Sequence, residues 1–157
     1  MFFKTQNGFT GTLSAPGLVI GDGAKTGPAL AAPNGAGTDF AIDGLAYHKA
    51  DAATVIPFPA GTTIGLLSTG LFLVCIDSAG TVTFVQGTPV LTADLVSGVK
   101  VLDWPDVPEG LCPLGAVKVA CINAATFVPG TTALDASDVA DTYYNFGAGM
   151  PTRPLTS

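Results

Sequence analysis

An all-β fold, a small β-sandwich or β-barrel-like domain with an extended Gly/Pro-rich N-terminal arm and a C-terminal tail, is the architecture this sequence predicts. Three observations predict it. Short runs rich in β-branched and aromatic residues recur along the chain, each closed by Gly, Pro or Asp. The 20 Gly and 12 Pro among 157 residues punctuate the chain too often for long helices. The acids are nearly all Asp, with Glu109 the single Glu, and Asp suits turns and caps where Glu suits helix interiors.

Residues 1–39 are rich in Gly, Ala, Pro and Thr, and no helical or strand period survives there for more than a few positions. This segment reads as an arm that can be ordered only by lying on a neighbour, with Leu13, Leu18, Val19 and Ile20 as contact points. A β domain follows over 40–146. Residues 40–47 form strand-like sequence with a bend at Gly44, and 54–58 is an edge or strand end because of Pro57 and Pro59. The clearest hairpin joins 71–76 to 81–85 through Asp77-Ser78-Ala79-Gly80, whose first Asp and last Gly fit a type I turn. Its first strand is apolar on both faces and is expected to be central; the second alternates Thr with Val and Phe and is expected to be half exposed. Residues 104–113 form a Pro-punctuated crossing loop, and 114–122 a further core strand. Residues 126–134 echo 54–64, which fits either an internal duplication or a repeated strand, Pro turn, strand pattern. The segment 135–146 is the one candidate helix, although Thr142-Tyr143-Tyr144 suits a strand equally. Residues 147–157 are a Gly/Pro-rich tail.

Composition excludes several functions. The net charge of −6 and six scattered basic residues leave no cluster with which to grip phosphates, so no nucleic-acid partner is expected. The longest apolar stretch, 64–76, is broken by Ser68, Thr69 and Gly70 and falls short of the roughly 18 residues of a membrane span, and no signal-like apolar segment opens the chain. Cys75, Cys112 and Cys121 are odd in number and lack C-x-x-C spacing; they read as buried reduced thiols, with a Cys75–Cys121 disulfide left open.

No chemistry-bearing constellation emerges. His48, the only histidine, has no evident positioned partner and reads as a polar residue at a strand end. No serine sits in a nucleophile elbow. Asp135, Asp138 and Asp141 recur every third residue, but they lack the central Gly and terminal Glu of a calcium loop and read as caps and turns. The Gly-rich patches at 21–23 and 35–37 lack the Lys of a phosphate loop. The reading is therefore of a non-enzyme with no cofactor and no metal. Most aromatics, including Phe72, Phe84 and Phe127, sit at core spacing. Phe2, Phe3 and Trp104 do not, and they join the four arm residues as candidate interface anchors.

Charged residues are only 11% of the chain, against about 25% in typical domains, while 48% are hydrophobic. A chain with so few charges is expected to hide surface on another protein chain. Four segments point the same way: Ile42-Asp43-Gly44-Leu45-Ala46-Tyr47-His48-Lys49, the 71–85 hairpin, Pro108-Glu109-Gly110-Leu111-Cys112-Pro113-Leu114-Gly115 with the strand after it, and Phe127-Val128-Pro129-Gly130-Thr131-Thr132 followed by Thr142-Tyr143-Tyr144. In these the sequence resembles small structural proteins of tailed bacteriophages, of the capsid decoration, cement or head-fibre type. The resemblance implies a β-rich homotrimer, made in the bacterial cytoplasm and seated on the outer capsid surface against the major capsid protein, with no catalytic role. A head-fibre base, a tail or baseplate adaptor, and a carbohydrate-binding β module using Trp104 with Tyr143 or Tyr144 are the alternatives.

Overall fold

The computed structural model describes residues 8–123, 125–147 and 150–151, without the side chain of Asn34. The chain is mostly β-sheet, and its sheets are open. Ten strands occur among the described residues: β1 (Gly11–Thr12), β2 (Leu18–Ile20), β3 (Pro28–Leu30), β4 (Thr38–Ile42), β5 (Leu45–Lys49), β6 (Ser68–Ile76), β7 (Val82–Gln86), β8 (Val90–Leu91), β9 (Cys112–Cys121) and β10 (Val139–Asn145). A single helical turn, α1 (Thr92–Val96), follows β8.

The scaffold is a five-stranded antiparallel sheet in the order β10-β9-β6-β7, with β8 paired to one end of β6. Every residue of β6 is buried, as its unbroken apolar run demands, whereas β7 is half exposed at the sheet edge. Along β6, Phe72, Val74 and Ile76 face one apolar cluster, and Leu71, Leu73 and Cys75 face another. On β9 the inward positions change parity, from Cys112 and Leu114 to Val117, Val119 and Cys121. A β-bulge causes the change: Val74 pairs with Gly115 and Cys75 with Pro113, so Leu114 is the extra residue.

Local chemistry sets the turns. The hairpin β4-β5 closes on Asp43-Gly44 with φ of 50° and 81°, the primed geometry that matches strand twist and needs Gly or Asp. In the β6-β7 turn, one Asp77 carboxylate oxygen accepts hydrogen bonds from Ala79 N (2.9 Å) and Thr81 N (2.8 Å), and Gly80 takes φ 81°. These backbone donors, Thr81 foremost, hold the Asp77 carboxyl below its ordinary range. At the far end of β7, the Gln86 amide bonds to both the N–H and the C=O of Thr62, at 2.8 and 2.5 Å.

The first cluster unites one face of this sheet with the N-terminal strands. Leu18, Leu30, Phe40, Ile42 and Phe58 close on Phe72, Val117 and Phe127. Phe58 and Phe72 stack at 4.1 Å between centroids, and Phe127 meets both edge-on at 6.1 Å. The second cluster lies on the opposite face, roofed by Leu95 of α1 and by Leu102, Trp104, Val107 and Leu111 of the crossing segment.

Two expectations are corrected. The described part of the 1–39 arm is not an appendage. β1 pairs with β4, β2 with β3, and Leu18 and Leu30 are core residues at 3% and 1% exposure. Hydrogen bonds from Thr12 Oγ1 to Phe146 O (2.5 Å) and from Leu18 N to Asn145 Oδ1 (2.6 Å) tie the segment to the end of the chain. Strands of two or three residues are too short to show a period, so their order comes from distant partners. The segment 135–146 is no helix: residues 139–145 form β10, paired along their whole length with β9. The β preference of Thr142, Tyr143 and Tyr144 prevails because β9 offers a free edge to pair with.

Candidate interaction surface

The expected anchors scatter. Phe2 and Phe3, like residues 152–157 of the tail, lie outside the described residues. Leu13 and Val19 are exposed, at 53% and 39%, whereas Ile20 packs partly into the core and Leu18 is enclosed by it. Trp104 is not a free anchor either. Its ring meets Phe146 at 5.3 Å and Tyr144 at 6.1 Å, both edge-to-face, and its indole Nε1 is buried without a hydrogen-bond partner. Tyr143 packs against the first cluster and Tyr144 against the second, on opposite faces of the sheet. Of the aromatic side chains named for a sugar platform, Trp104 and Tyr144 share one face and Tyr143 lies on the other.

A surface that sequence reasoning missed lies around β8 and α1. Leu66, Leu67, Leu91, Val96, Val99 and Val101 are all large, aliphatic and exposed; Val96 reaches 84% and Val99 74%. The fold connects them: Thr92 N donates to Leu67 O (2.8 Å), Leu91 pairs with Ser68, and Lys100 N donates to Asp94 O (3.1 Å). Leu67 also holds φ 52°, a left-handed conformation uncommon outside Gly, Asn and Asp. An exposed leucine held in such a conformation marks the strip as more than scattered surface apolarity. The sequence carried this signal only ambiguously, since 90–102 is apolar enough to read as core.

Beside the strip, α1 and residues 98–102 stand off the sheet and leave a cleft of about 370 Å³. Its walls are aliphatic, and its floor includes Ala120 and Lys118 of β9. The Thr69 and Thr92 hydroxyls bond to each other at 2.9 Å. Lys100 pairs with Asp94 at 3.2 Å, and the Lys118 ammonium lies 5.9 Å from the centre of the Tyr144 ring.

Comparison with protein-family models, with curated proteins and with solved structures finds no match.

His48 Nδ1 sits 2.8 Å from Asp39 Oδ1 across the exposed β4-β5 hairpin. Among the described residues no three His, Cys, Asp or Glu stand together as a metal site, and no helix is long and apolar enough to cross a membrane. All three cysteines are free and buried. Burial pushes the Cys75 thiol up to about 12, with Cys112 adding to it, and the Cys112 thiol up to about 11; it raises Cys121 as well. Thiolate is the reactive species, so at about pH 8, near the ordinary thiol range, the native protein is expected to take up no maleimide or disulfide reagent. Three equivalents should react in guanidinium. Labelling of any cysteine before unfolding counts against this packing.

Proposed function

We propose that this chain is a non-catalytic virion structural protein of the capsid decoration or cement type, a homotrimer that binds the outer surface of a phage shell through contact with the major capsid protein. In this reading the domain is a small β-sandwich, with the N-terminal sheets stacked on the five-stranded sheet. The exposed aliphatic strip around α1 carries the reading. Six large aliphatic side chains in water are costly on a monomer, at about 25 cal/mol per Å² of apolar surface left uncovered. They suit a protein that lives assembled, and the low charge of the chain agrees with that. The likeness of its segments to decoration proteins supplies the partner. The mechanism is linkage: a protein that binds the assembled shell but not its dissociated subunits stabilises the shell at every occupied site.

Co-sedimentation with expanded phage shells tests this. Wild type is expected to pellet with shells at a fixed copy number. The Leu66→Asp/Leu91→Asp variant, changed only at positions 51% and 50% exposed and outside the cleft lining, should keep the native circular dichroism spectrum and bind at least about tenfold more weakly, since charges buried at an apolar contact are costly. Wild type left wholly in the supernatant removes the reading. A copy number matching vertices alone would move the protein to a head-fibre base or a tail adaptor.

A further inference from the structure

Residues 102–111 cross the second face of the sheet with their side chains divided. Leu102, Trp104, Val107 and Leu111 pack inward, whereas Asp103, Asp106 and Glu109 are exposed. The carboxylates recur at every third position, and Pro105 and Pro108 fix φ between them. All three reach solvent: Asp103 and Asp106 stand in the irregular run, and Glu109 in the turn closed by the hydrogen bond from Leu111 N to Pro108 O, at 3.3 Å. None of them enters an ion pair among the described residues.

The cleft begins where this ridge ends, because Leu102 lines it. Asp94 neutralises Lys100, but Lys118 makes no ion pair among the described residues. A cation over a small apolar floor, rimmed by exposed valines, fits a partner that presents a carboxylate beside apolar surface. The 103–109 ridge has that chemistry. On one protomer Lys118 forms an ion pair with none of the three among the described residues. A second copy can satisfy both.

We propose that this face is a seam between copies of this chain, in which the Asp103/Asp106/Glu109 ridge of one protomer lies along the Lys118 cleft of the next, with Val96, Val99 and Val101 closing over the contact. Ridge and cleft are different surfaces, so the contact is head-to-tail and forms a ring when the rotation closes. Only the number three rests on the proposed function; the seam itself does not.

The test mixes ¹⁵N-labelled and unlabelled full-length protein, measures mass by light scattering at low and high salt, and joins carboxylates to lysines with a zero-length carbodiimide. An oligomer is expected, weakened by salt, with isotopically mixed cross-links from Lys118 to the 103–109 peptide. Asp106→Lys, an exposed change, should weaken assembly by at least about tenfold, as like charges are brought together across the contact. Adding Lys118→Glu to that variant should restore the wild-type mass. A wild-type monomer, or an oligomer indifferent to Asp106→Lys and free of mixed Lys118 cross-links, overturns the seam. Co-sedimentation separates this from the shell reading: an oligomer that ignores shells leaves the seam standing, and a shell-bound monomer removes it.

Discussion

Replacing Phe127 by Ala is expected to destabilise the domain by about 3–5 kcal/mol, the range for truncating a fully buried aromatic. Phe127 is completely enclosed. Its ring closes the edge of the Phe58–Phe72 stack, so truncation opens a cavity flanked by two large rings that cannot both collapse into it. Its backbone also exchanges two hydrogen bonds with Ile64, at 2.9 and 3.0 Å, which keep the walls of that cavity in place. A loss of this size is a fifth or more of the roughly 5–15 kcal/mol that holds an ordinary domain together. Urea unfolding followed by fluorescence should show the midpoint fall with the slope nearly unchanged. Val99→Ala, at an exposed position, should change the unfolding free energy by no more than about 0.5 kcal/mol. Equal effects at the two positions would contradict the packing described here.

Gly115→Ala is expected to be as damaging although it adds one methyl group. Gly115 sits at the bulge of β9, opposite Asn145 and beside Val74. A Cβ there would lie 2.3 Å from the carbonyl oxygen of Tyr144 and 2.6 Å from Leu18 Cδ1. The first obstacle is backbone of the neighbouring strand and the second is a core side chain, so neither yields cheaply. Relief requires β10 to part from β9, or Leu18 to leave the core and take β2 with it. We expect a loss of about 3 kcal/mol or more, at the upper end for overpacking. Gly147→Ala is the matched control, because among the described residues a Cβ on Gly147 would meet nothing within 4 Å, and Gly147 is not held at positive φ. Amide exchange should show new opening along 139–145 in the Gly115 variant, and native-like protection there would refute the argument.

What the sequence disclosed, and what it withheld, follows from the range over which each element is decided. The β6-β7 hairpin was legible because its central strand, its half-exposed partner and its Asp-to-Gly turn are all written within nineteen residues. β9 was legible for its β-branched content, and the bend at Gly44 for the turn it forms with Asp43. β1 to β3 were not: β2 and β3 pair with each other, but strands of two or three residues show no period, and the bonds that seat them are distant, Leu18 N to Asn145 Oδ1 and Thr12 to Phe146, the latter 134 residues apart. The same distance effect misplaced the interface anchors. Leu18 and Trp104 look unattached in their own neighbourhoods, but the fold brings core residues to them. The aliphatic strip went unseen for the opposite reason: nothing in Val96 or Val99 reveals that α1 is too short to turn them inward.

The amide of Gln86 has a consequence for crowding. In the proposed role the chain is held in many copies on one particle, at a local concentration at which any bare strand edge becomes a template for the next molecule. β7 is such an edge, uncharged and free of proline along its five residues. By grasping both polar groups of the Thr62 backbone, Gln86 behaves as a stopper strand one residue long. It pins the chain's own segment beside the last residue of the edge and shortens the row an incoming strand can read, so growth by sheet extension is discouraged where close neighbours would otherwise seed it.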